Sequence, residues 1–302
     1  MNVARPLVSR GAVLLPFFAL SSVLSGCTMP TASLHSRTPL VEQFACLREK
    51  GLAVVSAHRG APDATHAENT LAAYAEAHAH GFTLAETDIR PTRDGVLMLS
   101  HDPDLDRITT LTGPIVEHDW AEISAARMRT REGAATHHAP ATLPQLLAET
   151  NDGPVLQLDI KAGTDIVAVL DAVEAADAGG RVIFLAYTDA DIATIAHRMP
   201  GAIVATVIPS LERLAQVERL GIAPDHLHAL FFESAIDRPL FAELRKRGVT
   251  VLVAAAEGEE SGPHESHPLD AERYRAILAA GAQIVVSDHP TQAEAALGGK
   301  GC

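Results

Sequence analysis

From residue 52 onward the chain alternates short apolar runs with longer stretches in which apolar positions recur every three or four residues. The short runs, at residues 54–58, 84–89, 155–160, 182–186, 203–208, 229–233, 249–254 and 283–287, are rich in Val, Ile and Leu. Strands buried on both faces read this way, and such strands belong to parallel sheets covered by helices. Between the runs, Leu71, Tyr74, Ala75 and His78 follow the i, i+3, i+4, i+7 spacing of a helix face. Shorter sets do the same at Leu211, Leu214, Val217 and Leu220 and at Tyr274, Ile277 and Leu278. Thr70 stands where an N-cap belongs and Gly81 where a helix stops; Pro239 and Gly248 bracket another helix, and a last one is expected near residues 291–297. Strict alternation implies a parallel α/β sheet, and eight strand–helix units imply a closed (β/α)8 TIM barrel. An open doubly wound sheet would carry a glycine-rich phosphate loop after its first strand, and His58-Arg59-Gly60-Ala61-Pro62 is not one.

Two regions depart from the alternation. Residues 91–142 exceed a single crossover, and Asp94-Gly95 between two strand-like runs is a hairpin signal. An extra strand at residues 96–100 is therefore expected, followed by a loop with a short helix, as a small excursion after strand 2. At the N-terminus, Arg5 and Arg10 precede an apolar run over residues 11–24 that ends in Leu24-Ser25-Gly26-Cys27. A basic start, a short apolar stretch and small residues before a cleavage point describe a secretory signal. The run is short for a membrane span, which takes about 20 residues. Leu-Ser-Gly-Cys resembles a bacterial lipobox. That resemblance implies cleavage before Cys27, acylation of Cys27 and, with Thr28 following, an outer-membrane location facing the periplasm. The expected organisation is a signal peptide over residues 1–26, a lipid-anchored tether over 27–48 and the barrel over 49–298.

Composition narrows the choice of function. The 302 residues are 47% hydrophobic and 21% charged, which is globular, and a barrel of typically ~250 residues takes up most of them. The formal net charge is −14. The leader carries Arg5 and Arg10 and no acid, so its removal leaves −16. Nucleic-acid phosphates need a basic surface, so this balance excludes a nucleic-acid partner. It also argues against broad adhesion to anionic lipid. An anionic substrate must instead meet a local positive site: a metal ion, Arg59 or Lys161. Beyond Cys27, the remaining cysteines are Cys46 and Cys302. Both free thiols and a bridge between them are compatible with the spacing, the bridge requiring an oxidising compartment.

The candidate chemistry is concentrated in residues 56–102. His58 ends the first strand. Glu86 and Asp88 are two apart near the end of the second, so they share a face. His101 and Asp102 close the hairpin strand, and Asp159 and Lys161 repeat the period of two at the end of the next. Barrel active sites are built at the C-terminal ends of strands, so these motifs converge. Three carboxylates on one face repel one another without a counter-ion. The economical partner is one divalent cation that prefers oxygen ligands, Mg2+ or Ca2+; a carboxylate-rich set without a thiolate suits zinc less. Arg59 can hold phosphate oxygens as a fork and Lys161 as a point charge. His58 and His101 suit general acid–base work, because an imidazole titrates near neutrality. Asn69 and Thr70 read as turn and cap residues. Glu68 reads as a support that orients Arg59, and Asp102 as one that anchors the hairpin or orients His101.

The run containing His58-Arg59-Gly60, Glu68-Asn69-Thr70, Glu86-x-Asp88 and His101-Asp102, with Asp288-x-Pro290 at the far end, resembles the glycerophosphodiester phosphodiesterase family over about residues 52–292. The resemblance implies a metal held by Glu86, Asp88 and a third acid, usually Glu, at the position of Asp159, and His58 and His101 as the catalytic pair. It implies hydrolysis of glycerophosphodiesters to glycerol 3-phosphate and an alcohol. Which histidine is the acid stays open, as does whether water or a neighbouring glycerol hydroxyl attacks first. The family often carries an aromatic residue and an Asn on strand 7, where this chain has residues 251–256, Val-Leu-Val-Ala-Ala-Ala. The substrate therefore stays open. The rival readings are a phospholipase D-like or lysophospholipase D-like lipid hydrolase and a non-catalytic surface-binding lipoprotein.

Overall fold

The computed structural model describes residues 1, 33–34, 38–255 and 270–297. The expected signal peptide, the lipidation at Cys27 and the cysteine at 302 lie outside the described residues. Cys46 is disulfide-bonded.

Among the described residues, nine strands form one sheet: β1 (Val54–Ala57), β2 (Leu84–Pro91), β3 (Leu97–Leu99), β4 (Val155–Ile160), β5 (Val182–Leu185), β6 (Ile203–Val207), β7 (Leu227–Phe232), β8 (Thr250–Ala254) and β9 (Ile284–Ser287). The order is β1-β9-β8-β7-β6-β5-β4-β2-β3, and β1 also pairs β2 at Ala57↔Ala85, which closes the ring. All pairings are parallel except β2–β3, whose antiparallel register sets Ile89 opposite Leu99. The result is the (β/α)8 barrel, with the hairpin strand β3 added outside the ring.

Among the described residues, ten α-helices accompany the strands: α1 (Leu40–Lys50), α2 (Leu71–Ala79), α3 (Trp120–Ile123), α4 (Leu143–Glu149), α5 (Ile166–Ala175), α6 (Asp189–Arg198), α7 (Leu211–Glu218), α8 (Arg238–Lys246), α9 (Ala271–Ala280) and α10 (Pro290–Leu297). Side-chain caps punctuate them as the sequence suggests: Thr70 Oγ1 accepts from the Ala73 N–H at the start of α2. The face of α2 differs from the expected one. Ala73, Tyr74 and Ala77 are buried, whereas Ala75 and His78 are exposed. Tyr74 sets this rotation, because its hydroxyl reaches in to donate to Asn69 Oδ1 at 2.8 Å.

Strand parity divides the core into two parts. Alternate residues face the helices, while the others fill the barrel interior, where Val54, Leu84, Val155, Ile183, Ile203 and Ile284 form a floor at the N-terminal ends of the strands. Leu34, Leu40, Phe44 and Leu47 join that same cluster, with Phe44 and Leu47 fully buried. The expected tether over 27–48 is thus corrected at its C-terminal end. From Leu40 onward the segment is α1, a plug under the barrel, because its apolar i, i+4, i+7 residues cover a floor that would otherwise face water. Phe44 packs edge-on against the buried ring of His228, with centroids 4.4 Å apart. Among the described residues no helix is long and apolar enough to cross a membrane.

Candidate active site

At the opposite end of the barrel, the turn after β1 sets up the site. Arg59 adopts φ 51 and Gly60 φ 80, both in the left-handed region. At Gly60 a side chain would also be crowded, since a Cβ there would lie 3.0 Å from Ala73 Cβ. The turn directs the Arg59 N–H onto Glu86 Oε2 at 3.0 Å. The Arg59 guanidinium lies 3.3 Å from Asp88 Oδ2 and 3.3 Å from Glu68 Oε1. Asn69, itself at φ 56, is a hub: its amide nitrogen donates to Asp88 Oδ2 at 2.8 Å, and its carbonyl oxygen accepts from Tyr74 and Thr87. The residue expected to serve a turn also holds a carboxylate of the site.

Glu86, Asp88 and Asp159 each offer an oxygen within 4.8 Å of the others, and all three residues are buried. Register explains the convergence, because Asp88 pairs directly with Asp159 across β2 and β4. Lys161 Nζ lies 2.8 Å from Asp88 Oδ1 and 2.6 Å from Asp159 Oδ2. Both cations expected to meet phosphate, Arg59 and Lys161, therefore rest on carboxylates. Burial tends to raise Asp88, but Lys161 and Arg59 outweigh it and hold that carboxyl far below its usual range. Burial, with Asp88 nearby, pushes Asp159 up against the opposing pull of Lys161. Burial and then Asp88 push Glu86 up to about 8. One acid of the three thus holds its proton near neutrality, the behaviour of a cluster short of positive charge. Its all-oxygen donors fit a hard divalent cation, and Glu86, Asp88 and Asp159 are the residues that could hold one.

Both histidines are fixed through the same ring atom. His58 Nδ1 donates to Asp288 Oδ1 at 2.8 Å, and His101 Nδ1 donates to Asp102 Oδ1 at 2.9 Å. A ring whose Nδ1–H is so engaged presents Nε2 for proton transfer. The His58 Nε2 lies 3.7 Å from Glu86 Oε2. Burial and Arg59 act to lower the His58 pKa, but Asp288 and Glu86 together raise it above its ordinary value. The mouth of the cleft is two-sided. His58, Glu86 and Asp159 face Leu185, Tyr187, Leu230, Phe232 and Leu252 across about 360 Å³, counting space open to solvent.

Sequence reasoning missed four groups. Asp288 stands out in the sequence only as part of a terminal motif, yet it accepts from His58 Nδ1. Arg107 donates twice to Glu68, at 2.9 and 2.7 Å, and once to Asp102 at 2.7 Å. Arg131 donates to Asp288 Oδ1 at 2.9 Å. Tyr187 hydrogen-bonds Asp159 from the end of β5. Asp288-x-Pro290 was a usable signal for the first of these. No local spacing announces the others.

The family model of the Glycerophosphoryl diester phosphodiesterase family matches residues 58–290. A probable glycerophosphodiester phosphodiesterase 2 from Mycobacterium tuberculosis is 31% identical over 136 residues, which covers 45% of this chain and 49% of that protein. The chain spans about half the length of that relative, and less of the other curated relatives it matches. Among solved structures, a glycerophosphoryl diester phosphodiesterase from Parabacteroides distasonis superposes with a TM-score of 0.73 at 22% identity, covering 89% of this chain and 93% of that one. A phosphodiesterase from Oleispira antarctica, solved in complex with the product sn-glycerol-3-phosphate, gives 0.66 at 20% identity, covering 83% and 98%. At these identities the superpositions establish the shared fold.

Proposed function

The chain belongs to the glycerophosphoryl diester phosphodiesterase family, and from this we propose that it hydrolyses glycerophosphodiesters to glycerol 3-phosphate and an alcohol with the help of one divalent ion, Mg2+ or Ca2+. The observation that carries the reading is the meeting of Glu86, Asp88 and Asp159 with the carboxylate-held His58 at one barrel end. When bound, the ion neutralises charge on the non-ester phosphate oxygens. Arg59 and Lys161, already at the carboxylates, shift part of their bonding to those oxygens as substrate arrives. One imidazole of the His58–His101 pair takes the proton of the attacking hydroxyl at Nε2. The other gives its Nε2 proton to the alcohol oxygen as the bond from phosphorus to that oxygen breaks. Asp288 and Asp102 keep each ring in the orientation this exchange requires.

A second reading, cleavage of a lysophospholipid, is favoured by one observation. Tyr187 and Phe232 stand 46% and 39% exposed beside the site and offer an apolar rest to an acyl chain. The assay is glycerol 3-phosphate release from glycerophosphocholine by residues 28–302 after chelation, with Mg2+ or Ca2+ restored, beside His58→Ala. Metal-dependent release lost in the variant supports the diesterase. Choline release only from lysophosphatidylcholine, leaving the acylated glycerol phosphate, would replace it with the second reading. No release from either substrate would refute both and favour a non-catalytic binding role. We also propose that the protein is anchored through acylated Cys27 at the outer membrane facing the periplasm, which rests on Leu24-Ser25-Gly26-Cys27. Fractionation of Cys27→Ser tests this: a variant still in the membrane fraction would refute it.

A further inference from the structure

The excursion between β2 and α4 returns two arginines to the site, and each grips a carboxylate that holds a catalytic imidazole. Arg107 binds Asp102, the partner of His101, and Arg131 binds Asp288, the partner of His58. We propose that Arg131 is a positioning residue for the diesterase reaction: it clamps Asp288 and thereby fixes the His58 ring. This rests on the hydrolytic reading above.

The geometry is specific. Asp288 Oδ1 receives two donors, His58 Nδ1 at 2.8 Å and Arg131 Nη2 at 2.9 Å. Asp288 follows the last residue of β9, and its side chain is only 6% exposed. Without Arg131 the carboxylate could turn about its side-chain bonds, and the imidazole would turn with it. Two donors on one oxygen restrict that rotation. Arg131 is in turn carried by a tight turn in which Thr130 N–H donates to the Ala134 carbonyl at 2.8 Å. Arg129 ties the same turn to the Thr109 carbonyl at 2.8 Å. The excursion does not depend on Arg131 for its fold. It has its own buried cluster, including Met98, Leu105 and Met128, and Arg107 holds it to Glu68 independently. Removal of Arg131 therefore loosens a ring and leaves the domain intact.

The test uses the full chain with the metal restored and glycerophosphocholine as substrate. Arg131→Met should lower kcat by roughly 10- to 100-fold, the scale of a small misplacement of a reacting group, with KM within about twofold of wild type. Arg131→Lys, which keeps the charge but not the fork, should recover part of the loss. In the background of Asp288→Asn, Arg131→Met should cost almost nothing more, because the two act through one another. Nitrogen NMR of histidine-labelled protein should show the His58 proton on Nδ1 in wild type and a mixture of tautomers in Arg131→Met. Unchanged kcat in Arg131→Met would overturn the proposal. So would a full additional loss in the double variant, or an undisturbed His58 tautomer. If Arg131→Met fails to fold, the same comparisons are made on Arg131→Lys, where wild-type kcat and an unmoved tautomer would overturn it. If wild type turns over no phosphodiester, the hydrolytic reading fails, and the tautomer comparison still decides whether the clamp exists.

Discussion

Glu86 should surrender a proton when a divalent ion binds, and that proton can be counted. Burial and then Asp88 hold its carboxyl up at about 8, with Asp159 adding to the shift and His58 and Lys161 opposing it. An ion requires the carboxylate form, so binding must drive the proton off wherever the pH lies below that value. With a midpoint of about 8, roughly three quarters of molecules are ionised at pH 8.5 and about 3% at pH 6.5. Affinity should therefore fall about 25-fold across those two units, or roughly 2 kcal/mol. The assay is calorimetric titration of chelator-stripped protein with Mg2+ and with Ca2+ at both pH values, each in two buffers of different ionisation enthalpy. The expected count is about one proton from Glu86 at pH 6.5 and about a quarter of one at pH 8.5. Glu86→Gln should remove the Glu86 share of the release and weaken binding. A proton count near zero at pH 6.5, or a release unchanged in Glu86→Gln, would refute the reasoning.

The remaining predictions concern the floor of the barrel. His228 is fully buried, neither ring nitrogen has a hydrogen-bond partner among the described residues, and burial followed by Arg48 and His226 lowers its pKa to about 3. Its neutral form therefore contributes stability above pH 6.5 that is lost as pH falls from there toward 3. Between pH 7 and 5 that loss is about 2 kcal/mol. His228→Leu should flatten the pH dependence of urea stability by about that much, and an unchanged slope would show that the ring is not buried neutral. Phe44→Ala removes a fully buried ring from α1 and should cost about 3–5 kcal/mol in urea unfolding. A cost below about 1 kcal/mol would mean that α1 does not plug the floor.

The barrel was readable from the sequence because its parallel strands are buried on both faces. Runs such as residues 155–160 and 203–208 therefore carry their signal without help from neighbours. The acidic trio was readable for a different reason: Glu86 and Asp88 are two apart on β2, Asp159 and Lys161 two apart at the end of β4, and parity sends the members of each pair the same way. What stayed hidden depends on contacts distant in sequence. Arg131 meets Asp288 at a separation of 157 residues, and nothing near Arg131 distinguishes it from other loop arginines. Arg107 reaches Glu68 39 residues earlier. The plug α1 is a separate case. Leu40, Phe44 and Leu47 carry helical spacing, but Pro30 and Pro39 give the sequence the look of an extended linker. Pro39 is the N-cap of the helix rather than a break in it, and the floor the helix covers is assembled only when the ring closes.

The plug also orients the molecule. Leu34 is pinned beneath the barrel by its N–H, which donates to Thr83 Oγ1 at 2.8 Å, whereas His58 and the carboxylates open at the far end. With the anchor proposed at Cys27, only six residues separate it from Leu34, a span of at most about 25 Å. On that proposal the bilayer would lie on the plugged side, and the mouth would face away from it into water. Diesters already dissolved in that water reach the site by diffusion. A lysophospholipid would first have to leave its membrane, so the proposed orientation would favour the soluble substrate over the acylated one.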